Sequence, residues 1–447
     1  MITEHLIVFS VPGLRPGDIN RDATPTLHAW ANQGVLAELT PTFPCVTSPV
    51  QASMWCGTPP REHGVIGNGF YHRARNEVEF WVARNDVIAG EQVWDAMSQR
   101  RPQCTSAIWH AQNIKGAAAD YIVTPAPIHN DDGSTDLWCY SKPDGLYAEL
   151  IDELGHFPLQ HYWGPLANIE STRWILKGAS WLIEKHQPNL HWVYLPHLDY
   201  AAQKFGPNSA EAMVSLAELD HELRTFSETL MESRLENKVA FLVTGEYALT
   251  EVSESIYPNR LLRDAGLLAI RKANDHEYID LKNCQAFAVV DHQFAHVYVN
   301  PADAQTIAKV VDVLRQAPGI DGVFAGEDRK QVGLDHPRSG EIVIVADPAR
   351  WFTYYWWLHD DAAPPFARTV DIHNKPGYDP LELFFDPVTK SIPLDASLVK
   401  GSHGVPATQR KHQTAMICSM SSTAIESGQF YRDTDVKRIT LDLLGMV

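Results

Sequence analysis

Phe43-Pro44-Cys45-Val46-Thr47-Ser48-Pro49, continuing through Val50–Cys56 into Gly57-Thr58-Pro59-Pro60-Arg61-Glu62-His63-Gly64-Val65-Ile66-Gly67-Asn68-Gly69, is the stretch on which the reading of this 447-residue chain turns. Pro44 ends an extended segment, and Pro49 suits the first turn of a helix. Thr47 is thereby expected at a helix N-terminus, where free backbone N–H groups and the positive dipole end favour an anion or a phosphoryl group. Taken alone, Thr47 and Ser48 read as capping residues.

The flanking sequence supplies a frame. Short apolar runs at His5–Val11, Thr105–Trp109, Asn189–Leu195, Val239–Thr244 and Glu341–Ala346 read as buried strands. Between them, Asp144–Leu154, Ser171–Lys185, Ser209–Ser233 and Ala302–Gln316 carry apolar residues at helical spacing, and Asp433–Leu444 reads as a final helix. This alternation predicts an α/β fold with a mostly parallel sheet flanked by helices, and ligands gathered beyond the carboxyl ends of its strands. The pattern is less regular from Thr250 to Arg338, where Leu267–Arg271, Ala286–Val290 and Ala295–Val299 look like short strands. Residues 1–249 and 339–447 are therefore expected to form the core, and 250–338 a smaller inserted α+β lobe.

Composition narrows the function classes. Hydrophobic residues make up 45% and charged residues 21%, an ordinary globular balance. A net charge of −18 argues against nucleic acid or an anionic membrane as a general partner. It leaves a small phosphorylated or anionic substrate open, because a metal ion or helix terminus can reverse the local field. No apolar run reaches the ~18 residues of a membrane span, and no leader is visible. The six cysteines contain no CxxC pair and read as reduced thiols, so a cytoplasmic location is expected.

Thr24-Pro25-Thr26-Leu27, the FPxVTSP stretch and the GxPPxxHGxxGN stretch occur in that order. Together they resemble the nucleotide pyrophosphatase/phosphodiesterase and phosphonoacetate hydrolase group of the alkaline phosphatase superfamily. The resemblance implies an alkaline-phosphatase-like fold and a phosphodiesterase-type hydrolase, with Thr47 as nucleophile. It also implies metal ligands at Asp199, Gln203, Glu246 and His403. Several positions depart from the family pattern: Pro12 stands for a metal-binding aspartate, Val50 for an asparagine, and Gln203 and Tyr247 for histidines.

The carried-over set holds two carboxylates, one imidazole, one amide and one phenol. Such a set is short of charge for two divalent ions, so one ion rather than two is expected. Its oxygen-rich ligation moves preference from Zn²⁺ toward Mg²⁺ or Mn²⁺. Tyr247, His292, Asp371 and His373 are further candidates for the site, each with the alternative of an ordinary polar turn. The run Trp351-Phe352-Thr353-Tyr354-Tyr355-Trp356-Trp357 reads as a buried strand, or else as a ring-stacking wall for a flat substrate.

Three functions follow. The first is a metal-dependent phosphodiesterase. The second is a relative that has lost hydrolysis and binds a metabolite or partner. The third is a hydrolase of another phosphoester, a phosphonate or a sulfate.

Overall fold

All seven residues of the strand His5–Val11 are buried, because the strand lies at the centre of a nine-stranded sheet. A computed structural model describes residues 2–129, 135–232, 235 and 238–446. In it, His5–Val11 pairs in parallel with Leu190–Tyr194 on one side and Val239–Gly245 on the other. Ser106–Trp109 and Tyr121–Pro125 extend the parallel block beyond Leu190–Tyr194. Thr414–Cys418 joins Val239–Gly245 antiparallel and carries Val35–Thr40 outside it.

Burial on both faces explains why these strands are apolar runs and do not alternate. One face is covered by helices including Ile169–His186 and Ala210–Met231, which bury Trp174, Leu182, Leu219 and Phe226. Helix Thr47–Cys56 covers the other face and is buried at every one of its residues, with Trp55 packed between Trp94 and Trp192. The longest of these helices ends within the expected segment, whose last residue, Ser233, lies outside the described residues.

A second sheet of four antiparallel strands runs Ala286–Asp291, Phe294–Val299, Ile342–Ala346, Ile320–Ala325. Here the structure departs from the sequence expectation. Ile342–Ala346, expected in the core that includes residues 339–447, pairs instead with Phe294–Val299 and Ile320–Ala325, so the second sheet continues past residue 338. A five-residue apolar run says that a strand is buried but not in which sheet. The aromatic run also differs: only Arg350–Phe352 is strand, and Tyr354–Trp357 continue as irregular chain buried in the second core. Tyr355 stacks on Trp357, so these rings pack one another.

All six cysteines are free. No helix among the described residues is long and apolar enough to cross a membrane.

Candidate active site

The site lies beyond the carboxyl ends of the parallel strands. Ser10 is near the end of His5–Val11, and Glu246 and Tyr247 directly follow Val239–Gly245. Asp199 and Gln203 lie one turn apart on helix His197–Phe205, which follows Leu190–Tyr194. Their four-residue spacing puts both side chains on one helix face, and Gln203 Nε2 donates to Asp199 Oδ2 at 2.7 Å.

Thr47 is the first residue of its helix, with Val46 as the extended cap. The start of this helix is fixed from outside, since the Ser48 N–H donates to Asn68 Oδ1 at 3.0 Å. Asn68 is held in turn by Asp291, through its backbone N–H at 2.8 Å and its side-chain amide at 3.1 Å. His403 follows the short strand Gly401–Ser402, and its Nδ1 meets the Cys45 carbonyl at 2.8 Å.

The second sheet contributes His292 through the turn joining Ala286–Asp291 to Phe294–Val299. His292 has φ 59° at the first central position of that hairpin, a place where glycine is usual. A left-handed conformation costs a side-chain-bearing residue about 1–2 kcal/mol. The turn is tied to the site by Gln293 N–H donating to His403 O at 2.9 Å.

Four rings stack in sequence through the centre. Tyr247 lies on His403 at 3.6 Å between centroids and 8° between planes, His403 meets His292 at 3.7 Å, and His292 meets Tyr378 at 3.5 Å. Each end carries a hydroxyl to a polar group: Tyr247 Oη lies 3.2 Å from Thr47 Oγ1, and Tyr378 Oη donates to Gln203 Oε1. Glu246 Oε1 accepts from Ser10 Oγ at 2.6 Å and from Gln51 Nε2 at 2.7 Å.

Three atoms are left over. Asp199 Oδ1, His403 Nε2 and Glu246 Oε2 are buried with no hydrogen-bond partner. The first two face each other at 3.9 Å. Burial acts against an ion pair here, since it disfavours the charged form of both groups. It pushes Asp199 up to about 7, against the pull of the Gln203 hydrogen bond and the nearby Tyr247 hydroxyl, and drives His403 well below the usual imidazole range. Burial likewise lifts Glu246 to about 8 and Asp291 to about 6, and depresses His292. Because His403 Nδ1 must donate to the Cys45 carbonyl, the neutral ring offers its lone pair at Nε2.

The sequence model of the type I phosphodiesterase / nucleotide pyrophosphatase family matches residues 6–379. The chain belongs to this family. Among its relatives, an uncharacterized pyrophosphatase/phosphodiesterase of Schizosaccharomyces pombe is 24% identical over 266 residues, 58% of this chain and 46% of that protein. Mouse ectonucleotide pyrophosphatase/phosphodiesterase family member 7 is 21% identical over 345 residues, 76% of this chain and 69% of that protein. The chain spans about half the length of the first two relatives, 46% and 55%. Two solved structures share the fold. Phosphonoacetate hydrolase from Sinorhizobium meliloti matches with TM-score 0.65 and 15% identity, over 99% of this chain and 96% of that one. Murine ectonucleotide pyrophosphatase/phosphodiesterase 5 matches with TM-score 0.63 and 16% identity, over 99% and 95%.

Members of the phosphodiesterase family generally depend on divalent metal, so the donor set has to be tested. Among the described residues, no group of three or more His, Cys, Asp or Glu side chains is gathered closely enough to hold an ion. A two-ion cage does not fit. Pro12 has no side-chain donor, and Glu246 Oε1 is already engaged by two hydrogen-bond donors. A single ion fits better. Two ligands of one ion lie about 3–4 Å apart, the spacing of the two orphaned atoms on Asp199 and His403. Gln203 presents its Nε2 to Asp199 and its Oε1 to the Tyr378 hydroxyl, so its amide would have to turn to add an oxygen to this pair.

The structure thus gathers Thr47, Asp199, Gln203, Glu246, Tyr247, His292 and His403. It keeps two candidates apart from them: His373 is exposed, and Asp371 takes a hydrogen bond from Asn374 in a surface turn. Ser10, Gln51, Asn68 and Tyr378 were not foreseen. Ser10 carried a usable signal, a polar residue near the carboxyl end of a buried strand. Tyr378 carried none, because only the fold brings it to Gln203.

Proposed function

We propose that this chain is a phosphoester hydrolase of the phosphodiesterase type, with Thr47 as nucleophile and one divalent ion at Asp199, His403 and Gln203. The observation that carries the reading is the placement of Thr47 at the start of a buried helix, 3.2 Å from the hydroxyl of Tyr247, whose ring stacks on His403. The oxygen-rich set favours Mg²⁺ or Mn²⁺ over Zn²⁺. An ion there would supply Lewis-acid stabilisation of charge on a phosphoryl oxygen. The chain's own residues do the rest. The Thr47 hydroxyl, oriented by Tyr247, attacks phosphorus and breaks the bond to one alcohol, which leaves with the proton; water then cleaves the threonyl phosphodiester, restoring the hydroxyl and releasing the phosphomonoester. Asn68 fixes the helix N-terminus, whose dipole favours the anionic group. A structural neighbour supports the role of Thr47: an inactive threonine-to-alanine variant of murine ectonucleotide pyrophosphatase/phosphodiesterase 5 is known in complex with AMP.

The test is hydrolysis of bis(p-nitrophenyl) phosphate with Mn²⁺ or Mg²⁺. Thr47→Ala is expected to lower turnover by about 10³-fold or more, the usual loss for a nucleophile. Absence of turnover by metal-loaded protein across phosphoesters, phosphonates and sulfates overturns the proposal.

One observation favours a second reading, a relative that binds a metabolite without hydrolysing it. Thr47 is only 3% exposed and Tyr247 1%, so the nucleophile is covered by its neighbour. Under that reading Thr47→Ala leaves the affinity for AMP unchanged.

A further inference from the structure

We propose that Tyr247 takes the flank of Thr47 where a cation would have to sit to touch its hydroxyl, so that Thr47 is held by a phenol and is not a metal ligand. The inference rests on the single-ion reading above and assigns a role to each half of the site.

Three observations carry it. The Tyr247 hydroxyl is 3.2 Å from Thr47 Oγ1, and the ring is clamped flat on His403. That ring cannot turn aside without breaking a column whose other members are fixed independently: His403 by the Cys45 carbonyl, His292 by Asp291 at 2.7 Å, and Tyr378 by Gln203. Second, one oxygen of the carboxylate next to Tyr247 in sequence is already used, which leaves only Oε2 open. Ser10 and Gln51 both present hydrogens to Glu246 Oε1, where a cation would need lone pairs around it. Third, the far side of the column differs in kind. Asp199 Oδ1 and His403 Nε2 have no partner, although both residues are under 10% exposed. The Tyr247 hydroxyl thus closes the flank of Thr47, Glu246 keeps one open oxygen beside two hydrogen-bond donors, and the Asp199–His403 side keeps two acceptor atoms free.

Tyr247 is in this view a positioning residue. It acts on the reaction through Thr47, limiting its rotamers and keeping water from its hydroxyl.

The test counts metal on the full chain, without reference to turnover. Isothermal titration calorimetry with Mn²⁺, supported by electron paramagnetic resonance, is expected to give one equivalent. Asp199→Asn and His403→Ala should each weaken Mn²⁺ binding by about 100-fold or more, and Thr47→Ala by no more than about twofold. Tyr247→Phe keeps the ring and loses the hydroxyl. It should leave Mn²⁺ affinity unchanged and lower kcat for bis(p-nitrophenyl) phosphate by about 10–100-fold with KM within about twofold, the signature of lost orientation. Two equivalents in the unsubstituted protein, none at all, a tenfold loss of affinity in Thr47→Ala, or an unchanged kcat in Tyr247→Phe each overturn it. Hydrolysis failing while the count stays at one sinks the proposed activity and leaves Thr47 outside the metal shell; hydrolysis with two equivalents does the reverse.

Discussion

Two clusters of buried carboxylates in this molecule solve the same electrostatic problem differently. Asp379 and Glu382 close around Lys375, whose ammonium lies 2.8 Å from one and 2.7 Å from the other, with all three side chains at most 2% exposed. Burial alone would depress Lys375, but the two carboxylates hold it above its usual range. Asp199 and Glu246 have no such cation beside them, and each keeps one oxygen without a partner. Asp433 stands between the two cases. It has no cation, yet its carboxylate accepts from the Thr42 backbone N–H at 2.7 Å, the Thr42 hydroxyl at 2.5 Å and the Thr434 N–H at 2.8 Å. The series teaches that an internal cation or a set of donors marks a structural carboxylate. A buried carboxylate oxygen left open marks a place prepared for something the chain does not contain.

The comparison breaks first at Lys375. Lys375→Met leaves two carboxylates buried without their cation and is expected to cost about 3–5 kcal/mol of stability, read from urea denaturation. A loss under about 1 kcal/mol would remove the distinction between the clusters.

Asp433 sharpens the comparison through pH. Burial raises it from 3.8 to about 7, against the pull of the Thr42 and Thr434 donors. The folded chain then holds this proton more tightly than the unfolded chain. The stability it contributes is fully present below pH ~4 and is lost as pH rises through about 7. Relative to Asp433→Asn, the unsubstituted protein should lose about 1–4 kcal/mol across that window, at ~1.4 kcal/mol per unit. A difference independent of pH would place Asp433 with the fully compensated groups.

The smallest effects fall at the site itself. Asp199→Asn in metal-free protein keeps an acceptor for Gln203 and gives up an oxygen that bonds nothing, so stability should change by less than about 1 kcal/mol. Tyr378→Phe removes one hydrogen bond to Gln203 and keeps the stack on His292, for a loss of about 0.5–1.5 kcal/mol by thermal denaturation. Larger losses at either position would mean that the site is a structural cluster like that of Lys375.

Much of the fold was legible because its parallel strands are buried on both faces. Thr105–Trp109, Asn189–Leu195 and Val239–Thr244 stand out as apolar runs for that reason, and each lies in the central sheet. The helix starting near Thr47 followed from Pro44 and Pro49, and the site's location followed from strand polarity. Ile342–Ala346 was assigned to the wrong sheet because burial on both faces is common to both sheets. Within the site, Thr47, Asp199 and His403 could be named from motif order, and Asp199 with Gln203 from their one-turn spacing.

The sequence by itself determined the chain's family, its layered α/β architecture and which chemical groups it has lost, since Pro12, Gln203 and Tyr247 are facts of composition at motif positions. Tertiary structure alone decided what those replacements do. Whether Tyr247 is a ligand, a filler or a clamp depends on where its ring lies relative to His403 and where its hydroxyl lies relative to Thr47, 200 residues away. Such contacts are fixed by sheet order and loop return, and no local spacing encodes them.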